Sequence, residues 1–299
     1  MLTERIGEIA ALGTALLWSL TYVQFTLAAR AIGPMRLNRL RLLAALGFLL
    51  IAHTIVYHAP IPLGVGLARW GWLILSGVIG FTVSDSLLFG ALVRLGAHRT
   101  SLVMALIPVV SALLAWGAFG ERLTWLQILA AAVTLGGIAI VIRARRHDEK
   151  RVSSRIWLGA LLALGAVTTQ SIRYILSKQG MTGGFPALSA NTMQILAATV
   201  AAWIPAMLRR DVRGSFRALI ERRALPTTVR GAMTGPFLGV TLSMVALTRA
   251  PVGISSTLMA LVPVFLLPFS HIVLKERITL RAAIGTALAV GGVALLFLS

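Results

Sequence analysis

The sequence contains no cysteine, and Asp, Glu, Lys and Arg together make up only 12% of its 299 residues. The first absence excludes disulfides, thiolate nucleophiles and Cys-based metal sites. The second excludes an ordinary soluble domain, in which about a quarter of the residues are charged. The five histidines, at 53, 58, 98, 147 and 271, form no close-spaced ligand pair, so neither a metal site nor a cofactor is expected. The short alternating segments of a membrane barrel do not occur, nor does a GxxxxGK[ST] nucleotide loop. The first apolar run has no basic leader and is long enough to cross a bilayer, so it reads as a span and not as a signal peptide.

What is present is apolar. Hydrophobic residues make up 58% of the chain and mean hydropathy is +0.88. Runs of about 20 apolar residues recur throughout, each long enough to cross a bilayer as a helix, and a helix satisfies its own backbone groups there. The pattern predicts an all-α integral membrane protein of ten transmembrane helices, at roughly 6–29, 37–57, 70–92, 99–119, 124–142, 156–178, 187–207, 225–247, 252–274 and 280–298. The net charge of +19 does not point to nucleic acid, because the basic residues collect in the connections between apolar runs. Connections after spans 1, 3, 5, 7 and 9, taken with the adjoining ends of the spans they join, hold 22 of the 28 Lys and Arg. The positive-inside rule places those connections in the cytoplasm and both termini outside.

The chain repeats itself. Met104–Thr124 reads MALIPVVSALLAWGAFGERLT and Met259–Thr279 reads MALVPVFLLPFSHIVLKERIT, an offset of 155. At the same offset Ser76, Gly80 and Ser84 align with Gly231, Gly235 and Gly239, and Gly136-Gly137 aligns with Gly291-Gly292. Near the start of each half, Gly13 and Gln24 sit against Gly159 and Gln170 at a slightly different offset. The division is a first five-helix repeat over 1–145, a basic linker over 146–155 and a second repeat over 156–299. Five is odd, so the second half must enter the membrane the other way round. Inverted repeats are the architecture of secondary transporters.

Several motifs carry a family resemblance. They are Pro108 followed by LLAW and Gly120-Glu121-Arg122-Leu123-Thr124, then Gly136-Gly137, echoed by Pro263, Glu276-Arg277 and Gly291-Gly292, with Trp18-Ser19 in the first span. The chain resembles EamA-type members of the drug/metabolite transporter superfamily over its whole length. The second copy departs at Lys275, where the first has Gly120. The resemblance implies ten helices, a central cavity and transport of a small metabolite, often export, and leaves the compound open.

Within the spans, polar residues are candidates for the substrate site. Asp85 lies deep in the third span, where a carboxylate costs about 2.5–3.5 kcal/mol on insertion scales and so faces a cavity or a partner. Its equivalent 155 residues on is Val240, so packing symmetry does not require it; Ser84 and Ser86 flank it. Gln170, Arg173, Tyr174 and Ser177 share one face of the sixth span. The planar guanidinium of Arg173 suits a carboxylate, either that of Asp85 or that of a substrate. Trp18 and Tyr22 belong to a stripe with Thr14, Thr21 and Phe25 that reads either as core or as cavity lining. Asn191 and Gln194, one turn apart, add polar contacts on the seventh span. Pro108 and Pro263, near mid-span, are static kinks or gating hinges. Glu121 and Glu276 read as interfacial anchors.

The expectation is a transporter working by alternating access. Its substrate is a small metabolite of amino-acid or organic-anion class, held by Arg173 and packed by Trp18 and Tyr22. Protons are the candidate coupling ion if Asp85 stands alone; pairing with Arg173 argues against it. The cytoplasmic (inner) membrane is the expected location, and a fused pair of halves can form its cavity as a monomer. The rivals are a membrane-embedded enzyme, for which a catalytic cluster is missing, and a channel-like facilitator.

Overall fold

Apolar sequence without water leaves the backbone one economical answer, and the described chain is helical almost throughout. The computed structural model describes residues 6–119, 125–143, 153–249, 258–275 and 279–297. Among them no strand occurs. The elements are α1 (Ile6–Ile32), α2 (Pro34–Tyr57), α3 (Leu67–Leu95), α4 (Ala97–Met104), α5 (Ile107–Phe119), α6 (Trp125–Arg143), α7 (Ser153–Gly180), α8 (Ala187–Leu208), α9 (Val212–Glu221), α10 (225–249), α11 (Val262–Ile272) and α12 (Leu280–Phe297). Five of these are long and apolar enough to cross a membrane: α1, α2, α3, α8 and the Ile156–Gly180 part of α7. Shorter apolar helices cover Ala97–Ser111, Ile128–Ile140, Val262–Ile272 and Leu280–Leu295.

Two connections are one residue long. Gly33 (φ 86°) alone joins α1 to α2, and Gly96 (φ 86°) alone joins α3 to α4. That backbone conformation is open to glycine and strained for other residues. Pro34 then opens α2 in the first turn, where its missing N–H goes unnoticed.

Two irregularities recur at matched positions. A π turn occupies Val78–Ser84 within α3 and another occupies Met233–Gly239 within α10, 155 residues on. The helix also breaks at Ala105-Leu106 and again at Ala260-Leu261. The prolines expected as mid-span kinks lie just beyond these breaks, Pro263 in the first turn of α11 and Pro108 second in α5. Each break falls within the four residues before its proline, where the missing N–H and the ring interrupt a helix. Glu121 and Glu276 lie outside the described residues.

Glycine sets the closest helix approach. A Cβ on Gly137 would stand 2.5 Å from the Ala289 nitrogen and 2.6 Å from the Gly285 oxygen. A Cβ on Gly292 would stand 2.6 Å from the Thr134 nitrogen and 2.9 Å from the Ala130 oxygen. Shifting the first set by 155 gives the second. As α6 advances from Ala130 to Gly137, its neighbour retreats from Gly292 to Gly285, so α6 and α12 run antiparallel. Close backbone approach through small residues drives such packing in lipid.

One knot lies beyond the spans. Asp211, between α8 and α9, accepts hydrogen bonds from Arg36 (Nη2, 3.1 Å; Nε, 3.3 Å) and from Arg39. The two guanidinium groups hold its carboxyl below the usual carboxylate range. Arg39 lies 5.9 Å from the centroid of Trp203, whose indole N–H donates to the Arg39 carbonyl. The start of α2 is thereby tied to the end of α8.

The glycine seam makes a selective prediction. Gly137→Ala or Gly292→Ala forces backbone apart and should destabilise the protein by roughly 1–3 kcal/mol. Gly136→Ala and Gly291→Ala, where an added Cβ meets nothing within 4 Å, should be close to neutral. Denaturant titration in detergent micelles checks the contrast, and equal effects at adjacent positions would refute it.

Candidate functional site

A π turn loosens the hydrogen-bond ladder and leaves carbonyls in need of donors. In α3 the donor is Asn38 of α2, whose Nδ2 donates to the carbonyls of Phe81 and Thr82 (both 3.0 Å) and to Ser86 Oγ (2.9 Å). In α10 it is Asn191 of α8, donating to the Pro236 carbonyl at 2.9 Å. Pro236 is Phe81 shifted by 155. One turn beyond each asparagine stands a second long polar residue, Arg41 after Asn38 and Gln194 after Asn191.

Arg41 resembles, by position, one of the basic residues that flank the first connection, but it is buried within α2 with 2% of its side chain exposed. Its Nε and Nη2 donate to Asn38 Oδ1 at 3.0 and 2.8 Å, Nη2 also donates to the Phe81 carbonyl, and Nη2 pairs with Asp85. The guanidinium lies over the rings of Phe89 (4.9 Å) and Phe25 (5.4 Å). The ion pair expected between Asp85 and Arg173 is thus made with Arg41. The geometric reason is that α2 presents Arg41 directly to the π turn of α3, while the guanidinium of Arg173 is taken by Gln194 of α8.

Arg173 is buried, with 4% exposure. Its Nη2 donates to Gln194 Oε1 at 3.1 Å, and Gln194 in turn donates to Ser177, which bonds Ser76 at 2.7 Å. The side chain runs across Gly80, where any Cβ would collide with it. Its guanidinium stacks 4.0 Å from the Phe81 ring centroid and 5.5 Å from that of Tyr174. Its Nε is buried and has no hydrogen-bond partner, and the same holds for Gln170 Oε1. A buried unsatisfied donor costs about 1–3 kcal/mol, more when charged, and so is a standing invitation to an acceptor.

The remaining expected residues divide. Tyr22 lies within electrostatic reach of Asp85 and Tyr174, and Asp85 within reach of Arg173. Trp18 lies against Gly239 of α10. Ser84 is fully buried and donates to the Ala166 carbonyl of α7 at 2.8 Å, which makes it a helix-packing residue. Gly231, Gly235 and Gly239 take Phe25, Thr21 and Trp18 of α1, so that small-residue face serves packing. The alignment of the early spans also changes. Ser19 donates to the Val262 carbonyl and Ser171 to the Ile107 carbonyl. That matches WSLTY at 18–22 with QSIRY at 170–174, and Gln170 with Trp18 in place of Gln24.

The arrangement gathers two guanidinium groups, one carboxylate and two tyrosines around the π turn of α3. With Arg41 neutralised by Asp85, it keeps one positive charge in reserve. Among the described residues no group of His, Asp and Glu could hold a metal ion. The EamA-like transporter family matches residues 5–143 and again residues 157–298. The chain belongs to that family. It is a multi-pass membrane transporter. It is also 29% identical over 255 residues to a probable terminal-alkyne amino-acid exporter of Streptantibioticus cattleyicolor, covering 84% of this chain and 82% of that one. A solved crystal structure of 20% sequence identity shares the fold at a TM-score of 0.65, over 97% of this transporter and 95% of its own chain.

The two asparagines should differ in weight. Asn38→Ala strips five hydrogen bonds, two of them from a buried guanidinium, whereas Asn191→Ala strips one. The first should destabilise the protein by about 2–4 kcal/mol and the second by about 1. Thermal unfolding of the purified variants in detergent gives the order, and a reversed order would sink this account of the π turns.

Proposed function

We propose that this transporter is a secondary exporter of a small amino-acid-like or organic-anion metabolite, working by alternating access across the cytoplasmic (inner) membrane. Its spans number ten, as two inverted five-helix repeats over 1–145 and 156–299 joined by the basic linker 146–155. Supporting the inversion are the antiparallel run of α6 and α12 and the recurrence of π turns, helix breaks, Asn bonds and Ser bonds between corresponding positions. Spans of opposite entry can exchange conformations around one central site. One copy suffices to enclose such a cavity, since both halves are in one polypeptide.

One observation carries the substrate class: a buried guanidinium, Arg173, cradled on Gly80 and stacked between Phe81 and Tyr174, with its Nε unpartnered. A carboxylate is the acceptor whose charge and shape fit that edge. Tyr22, Trp18 and Tyr174 would pack the body of the substrate and Gln170 would accept a hydrogen bond from it. The amino-acid substrate in the relative's name agrees with this reading. The test is counterflow in liposomes. Arg173→Ala should lower exchange of carboxylate substrates by a hundredfold or more, from about 3 kcal/mol of lost charge-assisted bonding, with the protein still monodisperse. Arg173→Lys, which keeps the charge but loses the fork, should recover part of it. Exchange at the parental rate in Arg173→Ala would overturn the assignment.

Asp85 acts as the counter-ion of Arg41. Removing one partner of a buried pair costs more than the pair contributes. Asp85→Asn should therefore slow transport of every substrate about tenfold or more, while any response to a pH gradient persists in proportion. Loss of the gradient response with counterflow intact would reassign Asp85 as a proton carrier, making protons the coupling ion.

A further inference from the structure

α9 lies between the end of α8 at Leu208 and the start of α10 at Leu225, so it sits where the chain leaves and re-enters the bundle. One face docks. Ser215 and Leu219 are buried, and Val212 and Ala218 pack against the cluster that includes Leu37 and Trp203. The other face is a stripe at helical spacing: Arg213, Phe216, Arg217 and Ile220, all exposed, Ile220 to 71%. Six arginines fall between 209 and 223, against two acidic residues. Both acids are already engaged, Asp211 with Arg36 and Arg39, and Glu221 with Arg217 at 2.6 Å.

Water does not favour an isoleucine this exposed beside arginines, and hydrocarbon does not favour the arginines. A bilayer interface accommodates both. Leu208 and Met207, 80% and 63% exposed at the preceding helix end, bring an apolar surface up to the same level. Arginine binds phosphate through a planar fork that lysine lacks. Clusters of arginine close to a membrane surface attract anionic headgroups, and an apolar side chain among them gains by entering the acyl boundary. We infer that the α9 stripe, with its flanking arginines, is a binding surface for the headgroups of acidic phospholipids. Ile220 enters the upper acyl region while the arginines take the phosphates; Phe216 stacks on Trp203 of α8 and holds the stripe in place. The inference holds for whichever leaflet α9 faces and does not depend on the transport reading.

The experiment uses the full chain in detergent, titrated with phosphatidylglycerol or phosphatidylcholine and read by native mass spectrometry. Phosphatidylglycerol should be retained about tenfold or more over phosphatidylcholine. The combined variant Arg213→Gln, Arg217→Gln, Arg222→Gln, Arg223→Gln should lose that preference, and Ile220→Asp should weaken it. Millimolar inorganic phosphate should not displace the lipid. Equal retention of the two lipids by the parent protein, an unchanged preference in a folded combined variant, or displacement by inorganic phosphate would each overturn the proposal. If the combined variant fails to fold, the parental comparison and Ile220→Asp decide.

Discussion

Inside a membrane, a backbone carbonyl released from its helix must find a donor within the protein, because no water is there to supply one. That requirement organises the centre of this transporter. The π turns of α3 and α10 release carbonyls at Phe81, Thr82 and Pro236, and asparagines on α2 and α8 recapture them. Once Asn38 is held there, its oxygen faces back along α2 and fixes Arg41 one turn away. Arg41 then takes Asp85, the residue that follows the π turn. The charged site is therefore an outgrowth of backbone bookkeeping at one irregular turn.

The scaffold repeats but the buried charges around the π turn of α3 do not. Asp85 corresponds to Val240, Arg41 to Gln194 and Arg173 to Thr21. Each ionised group occupies a position where the other half has a neutral residue. The frame is thus shared by the two halves, while the charge set around the π turn of α3 belongs to that turn alone. Gln194 illustrates the division: it occupies the place of Arg41, yet it serves Arg173 from the second half.

Sequence alone made part of this visible. The helical class followed from hydropathy, and the repeat from identical words 155 residues apart. Asp85 and Arg173 stood out because charge inside a long apolar run has few explanations. Arg41 did not stand out, because seven residues into α2 it resembles one of the basic residues that mark a cytoplasmic end. The Asn-x-x-Arg of 38–41 and Asn-x-x-Gln of 191–194 are a signal that could have found it. The π turns left little trace: GFTVS and GPFLG share only a first glycine. The prolines gave the neighbourhood of the helix breaks, since a proline interrupts the turn that precedes it. Ser84 adjoins Asp85 in sequence, but successive helical residues point in different directions, and its hydroxyl bonds the Ala166 carbonyl.

The contact between α6 and α12 is self-matched: each glycine rests on the counterpart of the surface that its own helix offers in return. A surface with that property needs no covalent linker to find its mate. Two separate polypeptides, each the length of one half and inserted in opposite senses, could close the same joint. The protein thus carries, between α6 and α12, a self-matched antiparallel patch of the kind a homodimer would use.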